Sequence, residues 1–320
     1  MKHIVRSTLK HLSTISSGIG KQKKLLILIY HRVLDEPDFM RPGEVDKNVF
    51  TWHMELMSRY FNVLSLKDAL KKADEDNLPP RAVCITFDDG YADNYLYALP
   101  ILNKFGLEAT FFIADGFLDG GIMWNDCVIE GVRNVQGDKL DLRDFKLGDF
   151  DISNDEKKAR VAETILKTIK HCEPNQRKEY AEYFFSFIPK SASEIMLTTG
   201  QLRKLHESGM EIGGHTKTHP ILATLTDAQA NVEIKDNKQV LEGILETQIN
   251  FFAYPNGKPE HDYLPEHVQM VKANNYQAAL STLWGVMDNN SDRLQLPRFT
   301  PWDSVPEKFM LRIANSYLSK

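Results

Sequence analysis

The run Ala82-Val83-Cys84-Ile85-Thr86-Phe87 leads directly into Asp88-Asp89-Gly90, and this stretch decides the fold. Six β-type residues followed by a turn pair read as a strand that stops abruptly at two carboxylates. Working outward, residues 24–30 read as an earlier strand, and Phe50, Met54, Met57 and Phe61 mark one face of a helix. Ser65 with Asp68 three residues on predicts the capped start of another. Downstream, Leu96, Leu99, Leu102 and Phe105 predict a helix that Gly106 closes and Pro100 kinks, followed by a strand over 109–114. Short apolar runs alternating with helical patterns are the signature of βα units and a parallel sheet.

From about Asp119 to Leu197 this rhythm breaks into Gly120-Gly121, an acidic stretch and two helical patterns over 161–169 and 180–188. We read 119–197 as an insertion at the strand-end face, where such segments shape a cleft. The rhythm resumes with a helix near 202–206, a strand over 210–212, a long helix over 226–245 and a strand over 251–254. Units near 277–281 and 294–299 and a last helix over 305–318 follow. The expected organisation is an N-terminal segment, 1–23, and a single barrel domain, 24–320, carrying the insertion.

The chain has 320 residues, with 39 Lys and Arg against 44 Asp and Glu and 42% hydrophobic residues. That length admits one elaborated α/β barrel. A formal charge of −5 argues against a nucleic-acid partner, which calls for a basic face. No run approaches the roughly 18 apolar residues that span a bilayer. Cys84, Cys127 and Cys172 lie far apart and are odd in number, so a disulfide framework is not expected and a reducing compartment fits.

The N-terminus has no secretory signal pattern. Ile4, Val5, Leu9, Leu12, Ile15 and Ile19 recur at near-helical spacing among Lys2, Arg6 and Lys10, with Lys21, Lys23 and Lys24 beyond. This basic amphipathic segment fits either packing against the barrel or peripheral contact with an anionic membrane surface. The expected location is cytoplasmic, or peripheral to the inner face of the membrane.

Three segments place unusual residues just beyond strands. Asp88 and Asp89 are costly at the end of an apolar strand unless a cation compensates them, although Asp-Gly also makes an ordinary turn. In Gly213-Gly214-His215-Thr216-Lys217-Thr218-His219-Pro220, one tight turn would aim both rings inward. Two imidazoles and a carboxylate suit a divalent metal such as zinc, and a hydrogen-bonded structural pair is the alternative. In Tyr254-Pro255-Asn256-Gly257, a turn can point backbone N–H groups at a developing oxyanion.

These residues resemble the polysaccharide deacetylases of the NodB-homology type, carbohydrate esterase family 4. The likeness rests on Thr86-Phe87-Asp88-Asp89-Gly90, His215-Thr216-Lys217-Thr218-His219-Pro220 and Tyr254-Pro255-Asn256-Gly257. It extends to Ile29-Tyr30-His31-Arg32-Val33 and Ala109-Thr110-Phe111-Phe112, about 24–300 in all. The resemblance implies a distorted parallel (β/α) barrel and a metal-dependent hydrolase that removes N-acetyl groups from N-acetylhexosamines. By the same likeness Asp88 is the general base, Asp89, His215 and His219 are the ligands of a divalent metal, usually Zn2+, and the Asn256 N–H faces the oxyanion.

Two positions depart from the family pattern. The Arg expected two residues before Pro255 is Ala253, and Arg298 is the candidate substitute. No histidine follows His267, so His31 is the candidate catalytic acid, as in relatives with permuted motif order; a strand-capping role is the alternative. Tyr91, Trp124, Trp284, Trp302 and His261 are cleft candidates, while His53 and His206 fall in helical patterns. The expected substrate is an N-acetylated polysaccharide, oligosaccharide or lipid-linked sugar. A non-sugar amide hydrolase and a sugar-binding module without turnover are the competing readings.

Overall fold

The structure, a computed structural model, describes residues 10–18, 23–190 and 194–318. Its centre is an eight-stranded sheet of β1 (Leu25–Tyr30), β2 (Asn62–Val63), β3 (Ala82–Phe87), β4 (Thr110–Ile113), β5 (Glu211–Gly214), β6 (Phe251–Ala253), β7 (Ala278–Trp284) and β8 (Leu296–Arg298). The order is β1-β3-β4-β5-β6-β7-β8, with β2 paired to the start of β3, and every pairing is parallel. Beyond β8, the Phe299 N–H donates to the Ile27 carbonyl at 2.8 Å, and the Phe299 carbonyl accepts from the Ile29 N–H at 3.0 Å. These bonds bring the last strand against the first. The result is a nearly closed, distorted parallel (β/α) barrel, the class expected from the sequence.

Every residue of β1 and of β3 is buried, which explains why both segments read as continuous runs without polar alternation. The parallel arrangement sends all strand C-termini to one rim. His31, Asp88, His215 and Arg298 therefore share that rim, although they lie as far apart in sequence as barrel closure allows.

The surrounding helices start where local chemistry predicts. The Asp46 side chain caps α1 (Lys47–Tyr60), accepting from the Asn48 and Val49 N–H groups, and Phe50, Met54 and Met57 face the core. Ser65 caps α2 (Leu66–Asp74) as expected. The helix expected around Pro100 divides: Asn94–Ala98 is a π-helical turn running into α3 (Leu99–Phe105), which Gly106 closes at φ 63°. Pro100 then sits near the start of α3, where its missing N–H costs least. The wider π turn also rotates Leu96 off the apolar face, so Leu96 is exposed and does not line the core as expected.

The described residues of 119–197 form three α-helices, α4 (Trp124–Asn134), α5 (Asp155–Ile169) and α6 (Pro174–Phe185), and a hairpin of Lys139–Leu142 with Gly148–Asp151. The last two helices match the expected patterns; α4 and the hairpin do not appear in the sequence reading. Val128, Val132, Ile165 and Phe184 join a buried cluster separate from the barrel's own. The buried face of α4 also carries Asp126 and Glu130, which interrupts its apolar periodicity. Arg41 neutralises both, with Nη2 2.8 Å from Asp126 and Nη1 2.5 Å from Glu130. The barrel side completes its circuit with α7 (Thr199–Glu207), α8 (Asp227–Leu245), α9 (Pro265–Ala273) and α10 (Pro306–Ser316).

Of the expected N-terminal amphipathic segment, Ile4, Val5, Leu9 and Ile19 lie outside the described residues. Residues 10–16 are helical. They dock on the protein through hydroxyl groups: Ser17 Oγ accepts from the Arg81 N–H at 2.9 Å, and Arg81 Nη1 donates to Thr14 Oγ1 at 2.6 Å. Ser13 and Ser17 are buried, while Leu12 and Ile15 face outward at 48% and 68% exposure. In these residues the apolar side is not the side that packs on the barrel.

Candidate active site

Asp88 leaves the end of β3 with its backbone N–H on the Tyr30 carbonyl at 3.0 Å. Its carboxylate is gripped by Arg298 from the end of β8, with Nη1 on Oδ1 and Nη2 on Oδ2, both at 2.7 Å. Arg298 is itself oriented by the Ser281 carbonyl, which accepts from Nε at 2.9 Å. A buried two-bond fork of this kind is among the stronger polar contacts a protein makes. Burial alone would raise the Asp88 carboxyl, but Arg298 and then His215 outweigh it and hold it below the ordinary carboxylate range. Asp88 is thus a buried carboxylate kept ionised by a neighbour 210 residues away in sequence.

Asp89 turns the other way because its backbone is left-handed, at φ 76°. Its Oδ1 lies 3.3 Å from His215 Nε2 and 3.3 Å from His219 Nε2. The side-chain ligand atoms of Asp89, His215 and His219 all fall within 4.8 Å of one another. His215 follows Gly213-Gly214 of β5, and a Cβ at position 214 would strike the Tyr276 hydroxyl and the Asn237 amide oxygen. Glycine there lets the strand end pass close to α8, where Asn237 Oδ1 accepts the His215 backbone N–H at 3.0 Å. His215 Nδ1 lies 2.7 Å from the Ala253 carbonyl, so donation there leaves Nε2 as a lone pair facing Asp89. The tight turn to His219 uses positive φ at Thr216 and His219, 62° and 53°.

The donor set fits a divalent cation. Asp89 Oδ1 is fully buried and has no hydrogen-bond partner among the described residues, an expensive state for a carboxylate unless a cation shares it. Burial lowers the His219 pKa to about 4, so its ring is neutral and free to donate a lone pair. One carboxylate oxygen and two imidazole nitrogens are the ligand types that zinc accepts.

Asn256 lies at φ 59° in the turn after β6. Its carbonyl accepts from Thr282 Oγ1 at 2.6 Å, and its N–H donates to no protein group among the described residues. Asp88, Asp89, His215, His219, His31 and Asn256 all line one cavity of about 450 Å³. The predicted residues therefore converge, including His31 from the end of β1 and Arg298 behind Asp88.

The cleft candidates divide. Trp124 and Tyr91 line the cavity. Tyr91 is buried, donates to Asp126 Oδ2 at 2.8 Å and lies under the Arg32 guanidinium at 4.5 Å. His261 is not in the cavity wall; it pairs with Asp262 and stands against His171. Trp284 and Trp302 are half-exposed and lie against each other, with centroids 5.2 Å apart, outside the cavity lining. His53 is a core residue stacked on Phe309. Sequence reasoning missed Lys167 and Lys170, which bring the lobe to the cavity wall. Only the fold of 119–197 reveals them, since solvent-facing lysines of a helix look alike in sequence.

With this geometry in view, known proteins give a consistent comparison. The polysaccharide deacetylase family model matches residues 75–136 and 157–279. The break at 137–156 contains the hairpin, so most of the segment expected as an insertion lies within the match. Bacillus subtilis (strain 168) YxkH, named for the polysaccharide deacetylases, is 25% identical over 280 residues, covering 87% of this chain and 71% of that protein. The Streptococcus pyogenes deacetylase PplD, solved with acetate, superposes with a TM-score of 0.62 at 19% identity, over 92% of this chain and 99% of that one. IcaB from Ammonifex degensii gives 0.57 at 17% identity, over 92% and 97%. The two structural likenesses speak to the fold, and the family match to descent: this chain belongs to the polysaccharide deacetylase family.

Proposed function

We propose that the protein is a metal-dependent hydrolase that removes the N-acetyl group from an N-acetylhexosamine of a polysaccharide, oligosaccharide or lipid-linked sugar. The observation that carries this reading is the separation of two adjacent carboxylates. Asp88 is clamped and ionised by Arg298, while Asp89 offers a bare oxygen to two histidines.

Asp89, His215 and His219 would hold the cation, with zinc favoured by the donor set. When bound, such a cation polarises the acetamide carbonyl and lowers the pKa of a water from 15.7 toward about 7. Asp88 is placed to take the proton from that water, since its Oδ2 is turned toward the same space, 3.9 Å from His215 Nε2. Arg298 fixes the direction of the carboxylate and keeps it charged. The unspent Asn256 N–H donates to the oxygen of the acetyl group as it gains charge. As the C–N bond breaks, His31, which leaves the end of β1 beside Asp88 and lines the same cavity, gives a proton to the leaving amine, and acetate and the free amino sugar result. A cavity of about 450 Å³ walled by Trp124 suits a pyranose, whose apolar face an indole can cover.

The test is metal analysis and acetate release for the native protein and Asp88→Asn. Native protein should contain stoichiometric metal and release acetate from N-acetylated glycans. The variant should keep the metal and lose release. Full activity in the variant, or native protein active without metal, would overturn the reading.

We further propose that the N-terminal segment contacts an anionic membrane surface from the cytoplasmic side, supported by the outward-facing Leu12 and Ile15. Deleting residues 1–20 should then shift the protein from the membrane to the soluble fraction; unchanged fractionation would count against it.

A further inference from the structure

A second cavity, of about 780 Å³, adjoins the catalytic one, and Trp124 lines both. Its walls come from the lobe, through Ile122 and Ala181, and from the barrel side, through Pro220, Leu225 and Val232. The lining is mainly apolar. Arg177 is the buried charge in it: the residue is only 7% exposed, and among the described residues its side-chain acceptor is the Lys170 carbonyl, 2.8 Å from Nη1. Among the described residues no carboxylate pairs with it. The other charges at this wall are already engaged: Glu233 accepts from Thr218 N and Oγ1 at 2.8 and 2.7 Å, and Lys178 stands 3.7 Å from Glu182. The Arg177 guanidinium lies 5.3 Å from the Trp124 ring centroid, at the boundary between the two cavities. On the catalytic side, Lys170 is half-buried in the wall, and its ammonium has no acceptor among the described residues. Glu173 acts on Arg177 only from beyond ion-pair distance; a buried cation without a directly paired carboxylate is costly, and a ligand that brings an anion into contact reduces the cost.

We propose that this second cavity is a subsite for a phosphate-linked apolar chain, and that the substrate is an acetamido sugar joined through phosphate to a lipid. This rests on the deacetylase reading and narrows its substrate. With the sugar in the first cavity, whatever is joined to it must pass Trp124, where Arg177 and Lys170 flank the path. A phosphate at that junction supplies the anion, and guanidinium forks bind its oxygens in pairs. The apolar wall beyond has no use for the next sugar of a polysaccharide, whose hydroxyls would lose their hydrogen bonds there, whereas a hydrocarbon chain fills it favourably.

The first experiment carries no acetyl group, so it is independent of catalysis. Calorimetric titration of the full-length protein with decyl phosphate, below its micelle concentration, should show binding at least about tenfold tighter than decanol, and inorganic phosphate should not bind measurably. Arg177→Gln should weaken decyl phosphate by about tenfold, a loss typical of a charged hydrogen-bond donor. Because Arg177 also holds the end of α5, Val232→Glu, which puts a repelling charge in the groove from α8, serves as the second variant. Melting temperatures check that both fold. Equal binding of decanol or of inorganic phosphate, or folded variants that bind like the native protein, would overturn the proposal. The second arm compares acetate release from decyl N-acetylglucosaminyl phosphate and from neutral N-acetylchitotetraose. A tenfold or larger kcat/KM advantage for the former is expected; parity, or preference for the neutral glycan, would overturn the substrate class. Release from neither, with decyl phosphate still bound, would refute the deacetylase reading and the substrate assignment with it.

Discussion

The strand Glu211–Gly214 has a titratable group at its start and another just past its end, and the protein treats the two ends in opposite ways. At the lower end, Glu211 accepts from Thr110 Oγ1 at 2.7 Å, and burial raises its pKa to about 7. There the fold accommodates a carboxyl largely by removing its charge. At the upper end, His215 meets Asp88 and Asp89, whose carboxylates are more deeply buried and yet held below the ordinary range, against the effect of burial, by Arg298 and the histidines. Four residues of this rim, Asp89, Thr216, His219 and Asn256, also hold positive φ, at roughly 1 kcal/mol or more apiece. Burial of a carboxyl is common to both ends. What distinguishes the functional end is that charge is preserved there at the expense of backbone strain and an orphaned oxygen.

The largest expected effect breaks the upper end. Asp88→Asn keeps the shape and a hydrogen-bond acceptor for Arg298 but removes the proton acceptor. Acetate release should fall by about 10²- to 10⁴-fold per folded molecule, and the melting temperature should fall as well, because the buried Arg298 guanidinium loses its counter-charge. Arg298→Met attacks the same pair from behind and leaves a buried carboxylate unpaired. Stability should drop by about 3–5 kcal/mol in denaturant titration, and Arg298→Met with Asp88→Asn together should recover part of that loss. The pH profile gives the sign. Arg298 favours the charged form of Asp88 and lowers its pKa, so removing it raises the pKa and moves the acid limb of kcat/KM to higher pH. An acid limb that stays in place would show that Arg298 does not control the charge on Asp88.

Much of the upper end was legible in the sequence because each residue directly follows an apolar run that a parallel sheet must bury. Asp88 follows β3, His215 follows β5 and His31 follows β1, and one sheet direction gathers them. The Arg298 to Asp88 fork was legible only as a candidate, since it needs β8 to return beside β1, and Phe299 makes that closure through backbone bonds that carry no side-chain signature. The lobe was the least legible part. The period of α4 is masked by Asp126 and Glu130, whose burial is supported by Arg41, 85 and 89 residues away, together with the Tyr91 hydroxyl on Asp126 and Arg133 on Glu130. Leu96 misled for a local reason: the π turn before Pro100 moves it around the helix.

A smaller effect should appear at the lower end. The unfolded Glu pKa is near 4.5 and the folded value for Glu211 is about 7, so the native state binds the proton more tightly. Its contribution to stability is fully present below pH 4.5, declines as pH rises toward 7 and is lost above that. Glu211→Gln keeps the hydrogen bond and removes the titration. It should be more stable than the native protein at pH 8, by on the order of 2 kcal/mol, with little difference at pH 4.5. Melting temperatures across that range decide the matter. Acetate release per folded molecule should be unchanged, because this group lies at the end of the barrel away from the chemistry.

The smallest expected effect is the most discriminating for the upper end. Asn256 is assigned a role through its N–H alone, while its carbonyl is tied to Thr282 Oγ1 and its backbone stands at φ 59°. Asn256→Gly retains the N–H and occupies that φ without strain, gaining about 1 kcal/mol, while the greater freedom of glycine in the unfolded chain takes back about 0.5–1 kcal/mol. Stability should therefore change by only a few tenths of a kcal/mol, and kcat by less than about threefold, since a lost oxyanion donor would cost 10²- to 10³-fold. Asn256→Ala keeps the N–H but places a Cβ in the left-handed region, so it should melt lower than the glycine variant at comparable kcat. If the glycine variant folds and yet loses activity a hundredfold, the Asn256 side chain is doing the chemistry, and the strained turn would have to be explained by what it does for that amide instead of for the peptide N–H.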